Sequence, residues 1–344
     1  MNPRRVVILL TAGLVVIAIA LWLSSQRHLE RSIVSGQPVL PDLRSALNAV
    51  QEVRLVKGDG SKTTLKKRES DWVVAEREYP ADSGRVRKLL LDIADLKVVE
   101  EKTRDPANYS KLGVEDVTVA NASGVKVEIV NGKKPVDLIV GKPSGAKSGY
   151  VRVPGSPQSL LAAPQIAVDA DPRRWLDRTL FDIPQERVKE VAVKPEAGPA
   201  YTVNRANKEQ QDFTIPNLPK GRALATTSSP NPIAGALTAL TLDDVRKPVA
   251  GESPSHATFQ TFDGLTLDVG GRKDGERHFV TFNAKSTAKE TEAEAQKINT
   301  RAQGWEIEIP SYKYDAIFRP LEESLAKIEE PAKKAGAKDK KKAS

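Results

Sequence analysis

The stretch VQEVRLV, at residues 50–56, decides the fold of this chain. Its apolar residues alternate with polar ones, which is the pattern of a strand that buries one face. A closely similar pattern returns as VKEVAV at residues 188–193. A pattern that restarts with its neighbours in the same order indicates a duplicated architecture. We therefore predict two similar β-rich halves, 50–183 and 184–327, although chance similarity between amphipathic strands is an alternative explanation for so loose a match.

The segments that follow residues 50–56 predict a sheet with one covering helix. Asp59-Gly60 is a tight-turn signal, and Trp72–Val74 has the composition of a strand. Asp82 or Ser83 can cap a helix, because apolar residues follow at helical spacing. Those residues are Val86, Leu89, Leu90 and Ile93. Further strands are predicted at Leu96–Glu100, Val117–Ala120, Val125–Val130, Val136–Val140 and Tyr150–Val153, with a capped helical turn within Asp171–Phe181.

The second half repeats this order. Phe213–Ile215 takes the place of Trp72–Val74, and Asn231 would cap a helix that has Pro232 at its first position. The apolar face of that helix would be Ile233, Ala236, Leu237 and Leu240. A hairpin turns at Asp263-Gly264, so that Val125, Val127 and Ile129 match Leu265, Leu267 and Val269. The remaining predictions are a strand at Phe279–Phe282, a solvated helix or mobile loop at Ala284–Gln303, a strand at Trp305–Ile309 and a terminal helix at Tyr312–Leu325.

The predicted fold class is therefore α+β. Each half would consist mostly of antiparallel strands with one covering helix, and a single transmembrane helix would precede both halves. That helix is predicted by VVILLTAGLVVIAIALWL, an uncharged apolar run at residues 6–23. At about 1.5 Å per residue it would be about 27 Å long, close to the roughly 30 Å hydrocarbon core of a bilayer.

The flanks of this run predict its orientation. Arg4 and Arg5 precede it and Trp22 lies at its far end, which favours a cytoplasmic N-terminus at residues 1–5. Residues 24–49 would form a juxtamembrane stalk. Ala18 and Ala20 leave a cleaved signal peptide as the alternative, although the apolar run continues through the cleavage region. We expect a single-pass protein of a bacterial inner membrane, with the bulk of the chain in the periplasm.

The composition of the chain excludes several kinds of site and partner. It has 344 residues, 39% of them hydrophobic, and no cysteine, so disulfides, thiolate metal sites and cysteine nucleophiles are excluded. Much of its net charge of +8 comes from residues 331–344, where six lysines stand against one aspartate, within a tail at 328–344 that we expect to be disordered. The rest of the chain is only mildly basic, without a basic face that bears aromatic readers, and we predict no nucleic-acid partner.

Several segments together resemble a bacterial domain-of-unknown-function family of membrane-anchored proteins. They are PVLPDL, VQEVRLV, DWVVAEREYPADSGRVRKLLLDIADLKVVEE, NYSKLGVED, LIVGKPSG with GYVRV, and WLDRTLFDIPQERVKEVAV. The resemblance covers nearly everything between Pro38 and Leu325. Genes of that family often lie beside ABC-transporter components of the gliding-motility type, which implies an envelope transport partner. The shared motifs are architectural, so the resemblance supplies no active site.

Four segments fit the S-x-x-K pattern of penicillin-binding enzymes: Ser144–Lys147, Ser123–Lys126, Ser286–Lys289 and Ser324–Lys327. The accompanying S-D-N and K-T-G motifs are absent from the sequence, and Ser144 falls in a predicted turn. Chance matches explain these segments better than catalysis does.

Other chemical candidates are equally weak. His28 would lie beside the membrane, whereas His256 and His278 would lie near the starts of neighbouring strands, where a metal would need a third ligand. Val269–Gly275 lacks phosphate-loop spacing and resembles a strand connection. The acidic pairs Glu100-Glu101, Asp243-Asp244 and Glu329-Glu330 resemble solvated faces, and Trp72, Trp175 and Trp305 resemble core anchors. We predict no catalytic, metal-binding or cofactor-binding residues, and no cofactor.

These observations favour a non-enzymatic, membrane-anchored extracytoplasmic accessory protein. Its partner would be another envelope protein, with ABC-transporter subunits implied by the family resemblance. The alternative is an envelope enzyme or solute-binding protein that uses a groove between the two halves.

The uncleaved anchor gives the first testable prediction. A reporter that is active only in the periplasm, fused after Ser344, should be active, because Arg4 and Arg5 hold the N-terminus in the cytoplasm. Sequencing of the mature N-terminus should find residues 6–23 still present. Activity of a cytoplasm-specific reporter alone, or a mature start at Leu21, would contradict this topology.

Overall fold

A computed structural model describes residues 35–132 and 135–327. The chain divides into two compact units, the first ending at Asp177 and the second beginning at Arg178. Each is built on antiparallel sheet with a few helices, which confirms the α+β class. The predicted anchor at 6–23 lies outside the described residues, as do 1–5, residues 24–34 of the predicted stalk and the tail at 328–344. No helix within the described ranges is long and apolar enough to cross a membrane.

The first unit contains a nine-stranded sheet in the order β4-β3-β2-β1-β6-β7-β8-β9-β5. The strands are β1 (Glu52–Lys57), β2 (Lys62–Arg68), β3 (Asp71–Val74), β4 (Tyr79–Pro80), β5 (Lys97–Glu101), β6 (Val125–Val130), β7 (Val136–Ser144), β8 (Ser148–Arg152) and β9 (Ser159–Ala163). The helices are α1 (Leu43–Ala46), α2 (Ser83–Ala94) and α3 (Tyr109–Leu112). The sequence did not predict β4 or β9, because neither shows the alternation of a half-buried strand.

Helix α2 forms where the sequence predicts it. The Asp82 side chain accepts a hydrogen bond of 2.9 Å from the backbone N–H of Arg85 and so caps the helix. The four apolar residues predicted for its inner face are all buried. They are Val86, Leu89, Leu90 and Ile93.

The first described residues add an edge to this sheet beside β5. The Gly36 N–H donates to the Val98 carbonyl at 2.7 Å, and the Val98 N–H donates to the Gln37 carbonyl at 2.9 Å. Pro38 lies opposite Lys97. Helix α1 follows, with Leu43 buried. The described part of the interval predicted as a stalk is therefore bonded to the first unit from Gly36 onward.

The strand predicted at Val117–Ala120 is wrong, because this segment forms turns. Strand β6 pairs instead with β1 and β7. The buried Arg152 fixes the preceding loop: its Nε donates to the Val114 carbonyl at 2.8 Å, and its Nη2 to the Asp116 carboxylate at 2.7 Å. Its guanidinium lies 4.7 Å from the centre of the Tyr109 ring. The Arg152 side chain of β8 thus holds this loop in place without strand pairing within the loop.

The second unit contains a seven-stranded sheet in the order β12-β11-β15-β16-β17-β18-β14, and a separate pair β10-β13. The strands are β10 (Thr179–Phe181), β11 (Val188–Lys194), β12 (Tyr201–Asn204), β13 (Leu240–Thr241), β14 (Asp244–Arg246), β15 (Ser255–Thr261), β16 (Leu265–Asp274), β17 (Arg277–Ser286) and β18 (Glu306–Glu308). The helices are α4 (Asn231–Ala234), α5 (Lys289–Ala302) and α6 (Ser311–Ile317).

The helix predicted after Asn231 is only one turn long, and Asn231 is not its cap. The Asn231 Oδ1 accepts from the Phe213 N–H at 2.9 Å, and its Nδ2 donates to Asp212 at 2.7 Å. The helix ends at Gly235, and Leu240 starts β13. The four apolar residues predicted for this helix are nevertheless buried. The hydrophobic pattern therefore identified core residues correctly but not the secondary structure that they adopt.

The segment 284–303 is more ordered than predicted. Its first residues continue β17, and the rest forms α5, which buries Thr291, Ala295, Ile298 and Ala302. Arg187 fastens this helix, since its Nη atoms donate to Glu294 at 2.9 and 2.7 Å and its Nε donates to Asp263 at 2.9 Å. The terminal helix is shorter than predicted, because α6 ends before Pro320.

Phe213 gives a prediction for the core of the second unit. Its ring is fully buried, and the Arg205 guanidinium lies 4.9 Å from its centre. Phe213→Ala should lower the free energy of unfolding by about 3–5 kcal/mol, because it leaves a cavity and exposes the arginine. Tyr312→Ala is the control, with a change within about 0.5 kcal/mol, since Tyr312 is 68% exposed. Urea unfolding of the full chain measures both, and equal effects would contradict this account of the core.

Candidate functional site

One face of the seven-stranded sheet in the second unit carries two adjacent hollows. Along β11 and β15 the side chains alternate: Val191, Val193 and Phe259 are buried, whereas Lys194 and His256 are exposed. This alternation follows from the period of a strand, which sends successive side chains to opposite faces. The inner side chains form the core, and the outer ones form a surface that we call the outer face. Its positions lie on β12, β11, β15, β16 and β17.

The pairing registers arrange the outer face in rows. One row runs through Lys194, His256, Gly270 and Thr281, on β11, β15, β16 and β17 in turn. The next row contains Thr202, Ala192, Thr258, Asp268 and Asn283. Most of these side chains are small, so the sheet backbone lies close to the surface and a partner could approach it closely.

Two hollows lie on the outer face and share His256, Ala257 and Thr258. The first has a volume of about 480 Å³. The chain around Ile215 to Pro219 and the side chain of Leu321 contribute its apolar lining. The second has a volume of about 340 Å³ and is lined by residues that include Ser253, Asp268 and Thr281. The two hollows therefore adjoin along β15; we call the first the apolar hollow and the second, which is lined by Ser253, Asp268 and Thr281, the polar hollow.

Gly270 sets the depth of the polar hollow. A Cβ atom at this position would lie 2.7 Å from the Ser253 Oγ and 2.8 Å from the Thr281 Oγ1, closer than real Cβ atoms come. Glycine therefore allows the loop that carries Ser253 to lie directly on β16. The neighbouring Gly271 has a different role, since a Cβ there would meet the Phe318 ring at 2.2 Å on the inner face. Both glycines belong to β16, so the predicted strand connection at Val269–Gly275 is wrong except at its last residue.

The electrostatics of the outer face leave much of it without charge. Asp268 accepts from the Thr258 hydroxyl at 3.0 Å and pairs with Lys285 at 3.0 Å. Lys194 and His256 lie side by side at the apolar hollow. An incoming carboxylate would find a cation and an imidazole there, and an incoming apolar side chain would find the lining around Pro216.

The corresponding surface of the first sheet is closed by its own ion pairs. Arg54 bonds to Glu52 and, at 2.6 Å, to Glu128, while Lys126 pairs with Asp137 at 2.8 Å. The hydrogen bond to Glu52 raises the pKa of Arg54, and the bond to Asp137 raises the pKa of Lys126. These long side chains lie across β1, β6 and β7 and pair with one another, so charged groups cover this part of the sheet.

The two histidines are not brought together. His256 is on β15 and His278 on β17, with β16 between them. His256 lies opposite Gly270, whereas His278 lies opposite Lys273, three residues along β16 and on the other face. The prediction that they lie on neighbouring strands is therefore wrong. His278 stacks on Tyr314 at 5.0 Å between ring centres. Within the described ranges no three histidine, aspartate or glutamate side chains are grouped to hold a metal, and His28 lies outside those ranges.

The S-x-x-K serines occupy unrelated places. Ser144 is the last residue of β7, opposite Ser148, so the predicted turn occupies 145–147 and begins one residue after Ser144. Ser286 bonds to Thr291 at 2.6 Å and so caps the approach to α5. Ser324 is fully buried, and Ser123 is exposed in a loop. Among these four, Ser286 lies near a helix start, since α5 begins at Lys289, but its hydroxyl is bonded to Ala288 and Thr291.

The acidic pairs and tryptophans behave mostly as predicted. Glu100 pairs with Lys102 and Glu101 with Arg104, so their side chains diverge. Asp244 departs from the prediction, because it is buried and accepts from Arg277 at 3.1 Å. Trp72 and Trp175 are buried as expected. Trp305 is only half-buried, with the Lys247 ammonium 3.8 Å from its ring centre.

The sequence did not predict the outer face as a site. A signal was present, because the outward positions of β11, β12, β15, β16 and β17 include several small residues between the charged ones. They are Ala192, Thr202, Thr258, Gly270 and Thr281. It became meaningful only once the registers placed these residues side by side.

A family model described as a domain of unknown function, DUF4340, matches residues 72–261. The match covers more than half of the chain and extends from β3 to β15. The chain belongs to the DUF4340 family. This DUF4340 match spans parts of both units and includes the β11–β15 portion of the outer face. No curated protein and no solved structure matches the chain significantly.

Gly270→Ala tests the packing of the polar hollow. The new methyl group must displace Ser253 or Thr281, so the free energy of unfolding should fall by about 1–3 kcal/mol. Adding Ser253→Gly should recover part of this loss. Thr266→Ala, on the same strand and face, is the matched control and should change stability by less than about 0.5 kcal/mol. An unchanged stability for Gly270→Ala would show that the Ser253 loop does not rest on β16.

Proposed function

We propose that this protein is a non-enzymatic, membrane-anchored extracytoplasmic protein that binds a protein partner through the outer face of its second sheet. The observation that carries the proposal is the pair of adjoining hollows that share Thr258, on a face where small side chains lie among a few charged ones. Such a surface combines an apolar centre with polar surroundings, as protein interfaces do. The contrast with the ion-paired face of the first sheet supports the assignment to the second unit.

The proposed location rests on the sequence upstream of the described residues. Residues 6–23 are uncharged and long enough to span a bilayer, and Arg4 and Arg5 favour a cytoplasmic N-terminus. The protein would then sit in the bacterial inner membrane with both units in the periplasm. An interaction protein of this kind needs no catalytic residues, cofactor or metal.

The proposed partner is a subunit of an envelope ABC-transport complex. The support is the resemblance of the chain to proteins whose genes often lie beside such transporter components. Membership of DUF4340 is compatible with this partner and does not name it.

We further propose that the two units are related modules, and their strand orders support this. The order β2-β1-β6-β7-β8-β9-β5 in the first sheet corresponds to β12-β11-β15-β16-β17-β18-β14 in the second. On this correspondence β6 is equivalent to β15, one strand away from the match between Val125–Ile129 and Leu265–Val269 that the sequence suggested.

The segments that lead into each sheet add independent support. In the first unit, residues 36–39 bond to residues 96–98, just after α2. In the second, β10 pairs with β13, and the Leu242 N–H donates to the Arg178 carbonyl at 2.9 Å, again just after a helix. In each unit a short helix then leads to the first strand of the sheet. A duplicated module would allow one copy to keep a closed, ion-paired face while the other acquired an open one.

Site-specific photo-crosslinking in living cells tests the proposed function. A photoreactive phenylalanine analogue at Thr258 should form an adduct with a transporter subunit, because Thr258 lies where the two hollows meet. The same analogue at Lys62, exposed on the outer side of the first sheet, is the control and should form none. Adducts of equal yield at both positions, or none at Thr258, would contradict the proposal.

Arginine substitutions provide a matched second test. Thr258→Arg should abolish co-purification of the crosslinked subunit while leaving the melting temperature unchanged, because the side chain points out of the core. Gln260→Arg, on the same strand and face but outside both hollows, should retain it. If instead Ser144→Ala or His278→Ala gave a stable protein without function in a deletion strain, an enzymatic role would replace this proposal.

A further inference from the structure

A second groove lies in the first unit, between α2, the turn after β7 and the residues that follow β9. Its volume is about 850 Å³. Its apolar lining comes from Leu89 of α2, Ala146 of the turn, Ala163 at the end of β9, and Pro164 and Ala167 beyond it. It belongs entirely to the first unit and is separate from the outer face of the second sheet.

The groove carries an excess of positive charge. Arg85, Lys88 and Lys147 line it together with one carboxylate, Asp92. Asp92 pairs with Lys88 at 2.7 Å, which leaves the charges of Arg85 and Lys147 uncompensated within the lining. Arg85 is held in place, since its Nη1 donates to the Arg174 carbonyl at 2.7 Å and its guanidinium lies 5.5 Å from the Trp175 ring centre.

Lys147 stands at the tip of the β7–β8 hairpin. Gly145 takes a positive φ of 70°, which turns the chain sharply there and leaves Lys147 exposed. Lys147 belongs to the S-x-x-K segment Ser144–Lys147, and its place at the hairpin tip is explained by the turn and not by a catalytic role. The groove is thus bounded by cations on a helix and on a hairpin tip.

An exposed leucine adjoins these charges. Leu91 of α2 is 45% exposed and lies one turn beyond Lys88, so the two side chains are neighbours on the helix surface. Cations beside an exposed large apolar residue are typical of surfaces that rest on lipid headgroups. A surface that only binds an acidic protein segment would gain less from this leucine.

The groove lies close to the point where the chain enters the first unit. Pro38 is opposite Lys97 on β5, and Lys97 is opposite Ala163 on β9. Adjacent strands are about 4.8 Å apart, so Ala163 in the groove lies only about 10 Å from Pro38. Residues 24–37 connect Pro38 to the end of the apolar run and can extend over at most about 50 Å.

We propose that this groove binds the phosphate-bearing headgroup of an anionic phospholipid in the membrane that residues 6–23 span. This inference rests on the membrane anchoring in the proposed function and adds a second point of attachment. Positive charge near an anionic membrane surface is attracted over about one Debye length, so the tether and the groove act together. The bound headgroup would hold the first unit at the membrane surface.

Lysine acylation of the full chain in vesicles tests the groove. The protein is reconstituted in phosphatidylcholine alone or in phosphatidylcholine with phosphatidylglycerol, and acylation at each lysine is measured by mass spectrometry. Lys88 and Lys147 should be acylated several-fold more slowly in the anionic vesicles, and high salt should remove the difference. Lys62 and Lys194 should show no such difference. Equal acylation of Lys88 and Lys147 in both vesicles would overturn the inference.

Paired variants of equal charge make the test specific. Arg85→Gln with Lys147→Gln should abolish the protection of Lys88, whereas Lys67→Gln with Arg68→Gln, on β2 of the same unit, should leave it intact. Protection that survives the first pair would place the lipid elsewhere and contradict the groove.

Two further outcomes separate this inference from the proposed function. A chain that floats with vesicles but shows equal acylation in both compositions contradicts the groove alone. A chain that floats with neither contradicts the anchoring and, with it, the groove. Protection of Lys88 and Lys147 by polyglutamate but not by anionic lipid would overturn the lipid assignment in favour of an acidic protein segment.

Discussion

The registers between β11, β15 and β16 are the constraint on which the outer face depends. A strand presents alternate residues to opposite faces, so a slip of one residue would exchange buried valines for exposed lysine and histidine. The pairing of Ala192 with Thr258, and of Thr258 with Asp268, places small and polar side chains in one row while Val191, Phe259 and Leu267 meet in the core. The same pairing that builds the core therefore builds the open surface.

The sequence predicted correctly those elements whose local residue pattern matches the side chains that are buried in the fold. Helix α2 has a cap, helical spacing and a buried face, and it appears where expected. Strand β9 was missed because the sequence SLLAA does not alternate between apolar and polar residues. Helix α4 is one turn long, and the Asn231 side chain bonds to Phe213 and Asp212 and does not cap it. Helix α5 depends on Arg187, more than one hundred residues upstream, which reaches Glu294. Such long-range contacts leave no local signal.

The antiparallel sheets of the two units carry different surfaces. The first sheet carries long charged side chains that pair across β1, β6 and β7, whereas small side chains such as Thr258 and Gly270 lie among the charged ones of the second sheet. An ion pair at a surface contributes little to stability but covers backbone and excludes a partner. The candidate site could not be predicted from the sequence, because small residues such as Thr258 and Gly270 form a hollow only when the strand registers place them side by side.

The central claim is that the outer face of the second sheet is covered by a partner in the cell. Because the chain contains no cysteine, a single cysteine can report the exposure of one position without background. The most direct measurement is maleimide labelling of Thr258→Cys in intact cells and in the purified protein, with Lys62→Cys as the reference. The account predicts that Thr258→Cys reacts when purified but is shielded in cells, while Lys62→Cys reacts in both. Equal reactivity of Thr258→Cys in both settings would contradict it.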